Sequence, residues 1–263
     1  MLRAIAEASL IGIVGGALSC WVVLHRLSYA TESLAHSMLP GLVIAALAGA
    51  SLIVGGAVAI VVAALAITAL SRLPGIDPQT AIAVAVTTLL GLGALLALSA
   101  ASPPDLGSLL FGDVLGASDG DLLAAGGTAL LTIAALLVMH GRLLAAGFDR
   151  GAARALGATP GVIEAALMVL LGAAVVVAVQ GIGNLLVVAV FVGPAAAARE
   201  LTDRVAPMIA TSVGIALASG VAGLYLSYYA GTAAGASIAL AVVVAYAVAA
   251  LAAGPLRARA TIG

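Results

Sequence analysis

The sequence predicts an all-α polytopic membrane protein with 8–9 transmembrane helices, and its composition carries this prediction. Of 263 residues, 64% are apolar and only 8% are charged, and the mean hydropathy is +1.29. Soluble domains have roughly 45–50% apolar and about 25% charged residues, so this chain is too apolar to be one. At about 20 residues per crossing, its apolar residues supply roughly eight spans.

Apolar runs separated by charged, proline-containing or glycine-containing stretches place the spans in order. We expect them at about residues 4–24, 34–50, 51–71, 80–100, 122–139, 162–198 (two spans), 205–225 and 236–251. The second and third share almost no loop, so the count is eight or nine. Residues 1–263 are expected to form a single transmembrane domain. Its polar inserts are an outer one at about 101–121 and a cytoplasmic one at about 143–161.

The basic residues orient this map. All ten are arginine, and alternation of the spans places nine of them on one side, with Arg3 alone on the other. The arginine-rich side is expected to be cytoplasmic. A chain without lysine cannot contain a Walker A phosphate loop, and a net charge of −1 offers no basic face to nucleic acid. We therefore expect a multi-pass protein of a bacterial cell membrane, in contact with lipid and not with nucleic acid.

Glu32 and His36 form the most informative polar pair. They stand four residues apart, so a helix brings them to one face, one turn apart. Carboxylate and imidazole suit Zn²⁺ or Mn²⁺. Pro40 lacks an N–H, so we expect it to kink the helix and to leave the carbonyl oxygen of His36 free to line a cation path. The alternative is a helix-capping cluster at the membrane boundary, with Glu32 near the helix N-terminus.

The cytoplasmic insert predicts a short amphipathic helix over Asp149–Leu156, closed by Gly157. Its two faces hold Arg150 and Arg154 on one side and Phe148, Ala152 and Leu156 on the other. Such a helix could dock into a groove on a soluble partner or rest on anionic headgroups. Two further features are an outer amphipathic segment, Asp105–Asp113, either re-entrant or a solvated loop, and a span expected to be kinked at Pro194.

Taken in order, these segments resemble the permease of metal-type ABC importers, which move zinc, manganese or iron. The resemblance rests on the following stretches: 27–41, 105–113, 148–157, 183–204 and 226–237. It implies a type II importer fold with a short cytoplasmic coupling helix, which matches Phe148–Gly157. In the family, an aspartate usually stands at the position of Glu32 and the histidine at that of His36, which implies that these two are the ion-pathway ligands.

The resemblance also implies partners. It predicts a second permease copy or a paired permease, a separate ATP-binding cassette ATPase that performs all ATP hydrolysis, and an extracytoplasmic metal-binding protein. The chain itself is then no enzyme and has no permanent cofactor, only a transported divalent metal, Zn²⁺ or Mn²⁺. Three alternatives remain at this point: a permease for metal chelates or siderophores, a secondary cation transporter, and a structural subunit of a membrane complex.

Overall fold

A computed structural model of the chain describes residues 2–70, 73–98, 116, 118–155, 157, 159–184 and 186–260. The regular elements of these residues are eleven α-helices. In chain order they are α1 (Leu2–Leu24), α2 (Ser28–Ser37), α3 (Leu39–Leu47), α4 (Leu52–Leu70), α5 (Pro78–Ala97), α6 (Asp119–Phe148), α7 (Arg150–Ala155), α8 (Pro160–Ile182), α9 (Val187–Leu201), α10 (Val205–Ala230) and α11 (Ala234–Ala260).

The helices confirm a polytopic membrane protein. Seven described stretches are long and apolar enough to cross a bilayer: α1, α2 together with α3, α5, α6, α8, α10 and α11. Two further helices, α4 with 19 residues and α9 with 15, bring the number of candidate crossings close to the predicted eight or nine. Only α9 is clearly shorter than the about 20 residues that a full crossing needs.

The second span begins earlier than the sequence predicted. It starts at Ser28 and not near Leu34. The reason is that the hydroxyls of Thr31, Ser33 and Ser37 donate to carbonyl oxygens three or four residues earlier in the chain. These residues look like a polar boundary in the sequence, but their polar groups are satisfied within the helix, which is what a bilayer requires.

Helix α1 lies at the centre of the protein and packs against α6, α9 and α10. Its closest approach is to α10 at Gly16, where an added methyl group would lie 2.7 Å from the Cα atom of Val213. The hydroxyl of Ser212 donates to the carbonyl oxygen of Gly16 at 2.8 Å, and the hydroxyl of Ser19 lies 2.9 Å from that of Ser212. Small residues thus permit the approach, and the hydroxyls satisfy one another in a buried setting.

Helices α1 and α6 are parallel neighbours, with a polar contact at each end. Arg3 pairs with Asp119 at 3.0 Å where both helices begin. At the opposite end, the Nε2–H of His25 donates to the carbonyl oxygen of Leu143 at 3.2 Å. An even number of crossings must therefore separate the start of α1 from the start of α6, as the arginine distribution predicts.

Candidate metal site and coupling region

Glu32 and His36 lie on α2, in the first half of a broken spanning segment. The Oε1 atom of Glu32 and the Nε2 atom of His36 are 3.8 Å apart, and their side chains are 52% and 20% exposed. This separation is too long for a hydrogen bond. Two atoms that each bind one ion at about 2.0–2.2 Å can lie up to about 4.4 Å apart, so both could reach the same divalent ion.

The second nitrogen of His36, Nδ1, faces away from Glu32. This atom is buried, and no described group forms a hydrogen bond with it. An ion shared by Nε2 and Glu32 would not reach Nδ1, which lies on the other side of the ring, so a water molecule is the simpler partner for this atom. The capping alternative is less well supported, because α2 begins at Ser28, a full turn before Glu32, and its N-cap makes no side-chain hydrogen bond.

The break between α2 and α3 falls at Met38, two residues before Pro40, where the kink was expected. Pro40 lies in the first turn of α3, where its missing N–H costs little. Backbone N–H groups at the end of α2 donate to the carbonyl oxygens of Ala35 and His36. The expectation of a free His36 carbonyl is therefore wrong, because the backbone at the break satisfies that oxygen itself. The candidate ligands are the two side chains alone.

Four glycines bring the break close to α4 and α5. A methyl group at Gly93 of α5 would lie 2.8 Å from the nitrogen of Pro40, and one at Gly56 of α4 would lie 2.8 Å from the terminal methyl of Met38. Gly55 of α4 and Gly41 of α3 meet backbone to backbone. These contacts fix where α2 ends, and therefore where its two candidate ligands stand.

A cavity of about 660 Å³ lies beside α2, between α4, α5 and α8. Its lining is almost wholly hydrocarbon. Ser33 and Ser37 border it, but their hydroxyls donate to carbonyl oxygens of their own helix. Neither Glu32 nor His36 lines this cavity. A divalent cation would find no ligand there, so we do not assign the ion path to it.

A short helix does follow α6, as predicted, but its limits differ. Helix α6 continues to Phe148, and α7 covers Arg150–Ala155, with Ala152 and Arg154 inside it. Asp149 separates the two helices in an extended conformation. Its Oδ1 atom accepts the N–H of Gly151 at 2.7 Å, and its carbonyl oxygen accepts that of Ala153 at 2.9 Å. Asp149 is thus the residue that starts α7.

This boundary corrects the predicted apolar face of the coupling helix. Phe148 is the last residue of α6, so it does not share a helix face with Ala152, and its side chain is 72% exposed. The described residue that anchors α7 to the core is Ala153, which is fully buried. Gly157 has a positive φ of 74°, which suits its predicted role after the helix.

The remaining predicted features have mixed outcomes. Pro194 is buried inside α9, as a residue of a continuous helix. Leu156 and the outer segment Asp105–Asp113 lie outside the described residues. Among the described residues, no group of three or more His, Cys, Asp or Glu side chains could hold a metal ion. The candidate site on α2 therefore comprises two side chains of one chain, a small number that suits an ion that must leave again.

Three residues without an expected role take prominent positions in the fold. Glu7 of α1 is 2% exposed and faces Gly181 at the end of α8; an acidic residue in an apolar run was the available signal. The rings of His25 and His140 both pack on Trp21, with centroids at 6.4 Å and 5.4 Å. No sequence signal joins these rings, because His140 lies on a different helix.

Comparison with known proteins gives consistent matches over nearly the whole chain. The sequence profile of the ABC 3 transport family matches residues 1–253. The manganese transport system membrane protein MntC of Halalkalibacterium halodurans is 34% identical over 239 residues, which cover 90% of this chain and 82% of that protein. The manganese import system permease protein ScaB of Streptococcus gordonii is 31% identical, with 90% and 86% covered.

A solved structure shares the fold. PsaBC from Streptococcus pneumoniae, determined in complex with Fab, contains a chain that superposes on this one with a TM-score of 0.87 and 31% identity. The match covers 94% of this chain and 90% of the other. The helix order and the packing described above are therefore those of a known class of membrane protein.

Proposed function

The chain belongs to the ABC 3 transport family, and we propose that it is the membrane-spanning permease of an ATP-driven importer of divalent metal ions, with Mn²⁺ as the first candidate and Zn²⁺ as the second. The names of the bacterial relatives support manganese. The donor set supports a metal of this class, because one carboxylate and one imidazole suit both ions.

The observation that carries the proposal is the Glu32–His36 pair. An ionisable side chain within a spanning segment is costly and is usually retained for function. Here two such residues stand one turn apart, with the Nε2 atom of His36 3.8 Å from the Oε1 atom of Glu32, close enough for both to bind one ion. We propose that Glu32 neutralises part of the charge of the passing ion while His36 supplies a neutral nitrogen ligand.

The energy for transport must come from other subunits. This chain has no lysine and hence no Walker A loop. We propose that a separate ATPase binds at α7 and the residues around it, Phe148–Gly157, and that an extracytoplasmic metal-binding protein delivers the ion. A second permease copy would bring a second Glu32–His36 pair, and with it the ligands that one chain does not supply.

The proposal can be tested in proteoliposomes that contain the permease complex, with ATP on the ATPase side and radioactive Mn²⁺ on the other. We expect ATP-dependent uptake, and we expect His36→Ala to abolish it while insertion and assembly stay normal. His140→Ala removes a histidine of α6 and serves as the matched control, with uptake close to wild type. Normal uptake by His36→Ala would refute the proposed site.

The same assay separates the alternatives. Uptake that proceeds without ATP and follows a proton or sodium gradient would indicate a secondary transporter. Uptake only of a chelated metal, with no competition from free Mn²⁺ or Zn²⁺, would indicate a chelate permease. Competition between the two free ions then ranks them as substrates.

A further inference from the structure

The end of α1 is fastened to the end of α6 through one side chain. The Nε2–H of His25 donates to the carbonyl oxygen of Leu143 at 3.2 Å, and the ring packs against Trp21. Leu143 is fully buried and lies about one turn before Phe148, the last residue of α6. The contact therefore joins α1 to the part of α6 that leads directly into α7.

Gly147 leaves space for this contact. A methyl group at that position would lie 3.4 Å from the Nε2 atom of His25, in van der Waals contact, so a larger side chain directed at the imidazole would displace it. Gly141, on the same helix, has no atom within 4 Å of such a methyl group. The approach of His25 to α6 thus needs a small residue at position 147, whereas position 141 lies away from it.

On its other side, His25 is followed by a tight turn into α2. Arg26 has a positive φ of 58°, the only such non-glycine residue among those described. Its N–H donates to the carbonyl oxygen of Val23, and that of Leu27 donates to the carbonyl oxygen of Val22. These two bonds close the end of α1 as a Schellman turn, and α2 begins at the next residue, Ser28.

We propose that His25 is a positioning residue that transmits movement from the coupling helix to the metal-binding helix. The inference rests on the proposed function. A displacement of α7 moves the end of α6, the hydrogen bond from His25 to Leu143 carries that movement to the end of α1, and the closed turn at Arg26 passes it to α2. Glu32 and His36 both lie within the ten residues of α2, so they move with it.

The packing and the hydrogen bond of His25 can be tested separately. The His25 ring has two separable parts, an aromatic face against Trp21 and an N–H toward Leu143. If His25 only packs, its aromatic face is sufficient. If it transmits movement from α6 to α1, its N–H group is needed. Phenylalanine keeps the face and removes the donor. Glutamine keeps a donor of similar reach and removes the aromatic ring.

The test compares His25→Phe, His25→Gln and His140→Phe in the reconstituted permease–ATPase complex, measuring Mn²⁺ uptake, Mn²⁺ binding without ATP, and ATP hydrolysis. We expect His25→Phe to lower the number of ions moved per ATP by about fivefold or more, the effect of one lost hydrogen bond. Binding without ATP should stay within about twofold of wild type. His25→Gln should recover most of the transport, and His140→Phe should behave as wild type.

Two results would overturn the inference: full transport per ATP by His25→Phe, or a defect in His25→Gln as large as that in His25→Phe. If His25→Phe fails to insert, Gly147→Leu and its control Gly141→Leu replace it; equal transport by these two would also overturn the inference. His36→Ala is measured in parallel. Normal uptake by that variant is a failure of the proposed function, whereas normal uptake by His25→Phe is a failure of this inference alone.

Discussion

Glu32 and His36 owe their proximity to a single helical turn, which is why the sequence alone could pair them. The spacing could not reveal that Nδ1 of His36 is buried without a partner, because that depends on the helices around α2. Nor could it reveal that the backbone at the break satisfies the His36 carbonyl oxygen. At this scale the sequence correctly predicted that the two candidate ligands are neighbours, whereas their binding of an ion stays a prediction. The free carbonyl expected from Pro40 is not found.

The charge of Glu32 is the part of the pair that we expect to matter most for a divalent ion. Glu32→Gln keeps the shape of the side chain and removes the charge. It should lower Mn²⁺ uptake by at least about tenfold, because mutation of residues that only hydrogen-bond to metal ligands already costs about that much in metal affinity or activity. Glu200→Gln, which neutralises a carboxylate at the end of α9, is the control in the same uptake assay. Equal uptake by the two variants would show that Glu32 does not meet the ion.

At the scale of elements, the break between α2 and α3 is held by close backbone contacts and not by the proline. Gly93→Ala would place a methyl group 2.8 Å from the nitrogen of Pro40, whereas Gly91→Ala on the same helix meets no atom within 4 Å. We expect Gly93→Ala to cost about 1–3 kcal/mol and to weaken Mn²⁺ binding, and Gly91→Ala to do neither. The measurements are the thermal stability of the purified variants and their titration with Mn²⁺. Equal stability and equal Mn²⁺ binding of Gly93→Ala and Gly91→Ala would refute the prediction.

The start of α7 gives a second prediction for an element. Asp149 accepts the N–H of Gly151 and so caps the short helix. Asp149→Ala removes this cap, at a typical cost of about 1 kcal/mol, and should weaken ATPase association, whereas Asp149→Asn keeps an acceptor and should retain it. The measurement is the amount of ATPase that co-purifies with each variant. If both variants retain the ATPase equally, the cap does not shape the docking surface.

The spans were predictable because a run of about 20 apolar residues has few alternatives to a membrane helix. The residues at which the helices begin and end were less predictable. Ser33 and Ser37 satisfy their hydroxyls inside α2, which lets the span begin earlier than its polarity suggests. Phe148 and Asp149 look continuous in an amphipathic pattern, but the cap formed by Asp149 separates them. The contact of His25 with Leu143 joins residues far apart in the chain, and no local pattern reports it.

For the whole molecule, the arginine distribution and the parallel arrangement of α1 and α6 predict the same membrane topology. In a Cys20→Ser background, which removes a fully buried thiol, Ala233→Cys should react with an impermeant thiol reagent applied to intact cells. Thr159→Cys should react only after permeabilisation. Both positions are exposed in the fold, so burial cannot explain a difference between them. If Thr159→Cys reacted in intact cells and Ala233→Cys did not, the predicted orientation of the protein in the membrane would be wrong.

Pulsed electron paramagnetic resonance of bound Mn²⁺ can show whether the transported ion meets His36 inside the membrane, as we propose. An imidazole ligand imprints nitrogen modulation on the manganese signal. We expect this modulation in the wild-type complex and in His140→Ala, and its disappearance in His36→Ala. Nitrogen modulation that persists in His36→Ala, or that is absent from the wild-type complex with Mn²⁺ bound, would show that His36 is not a ligand of the transported ion.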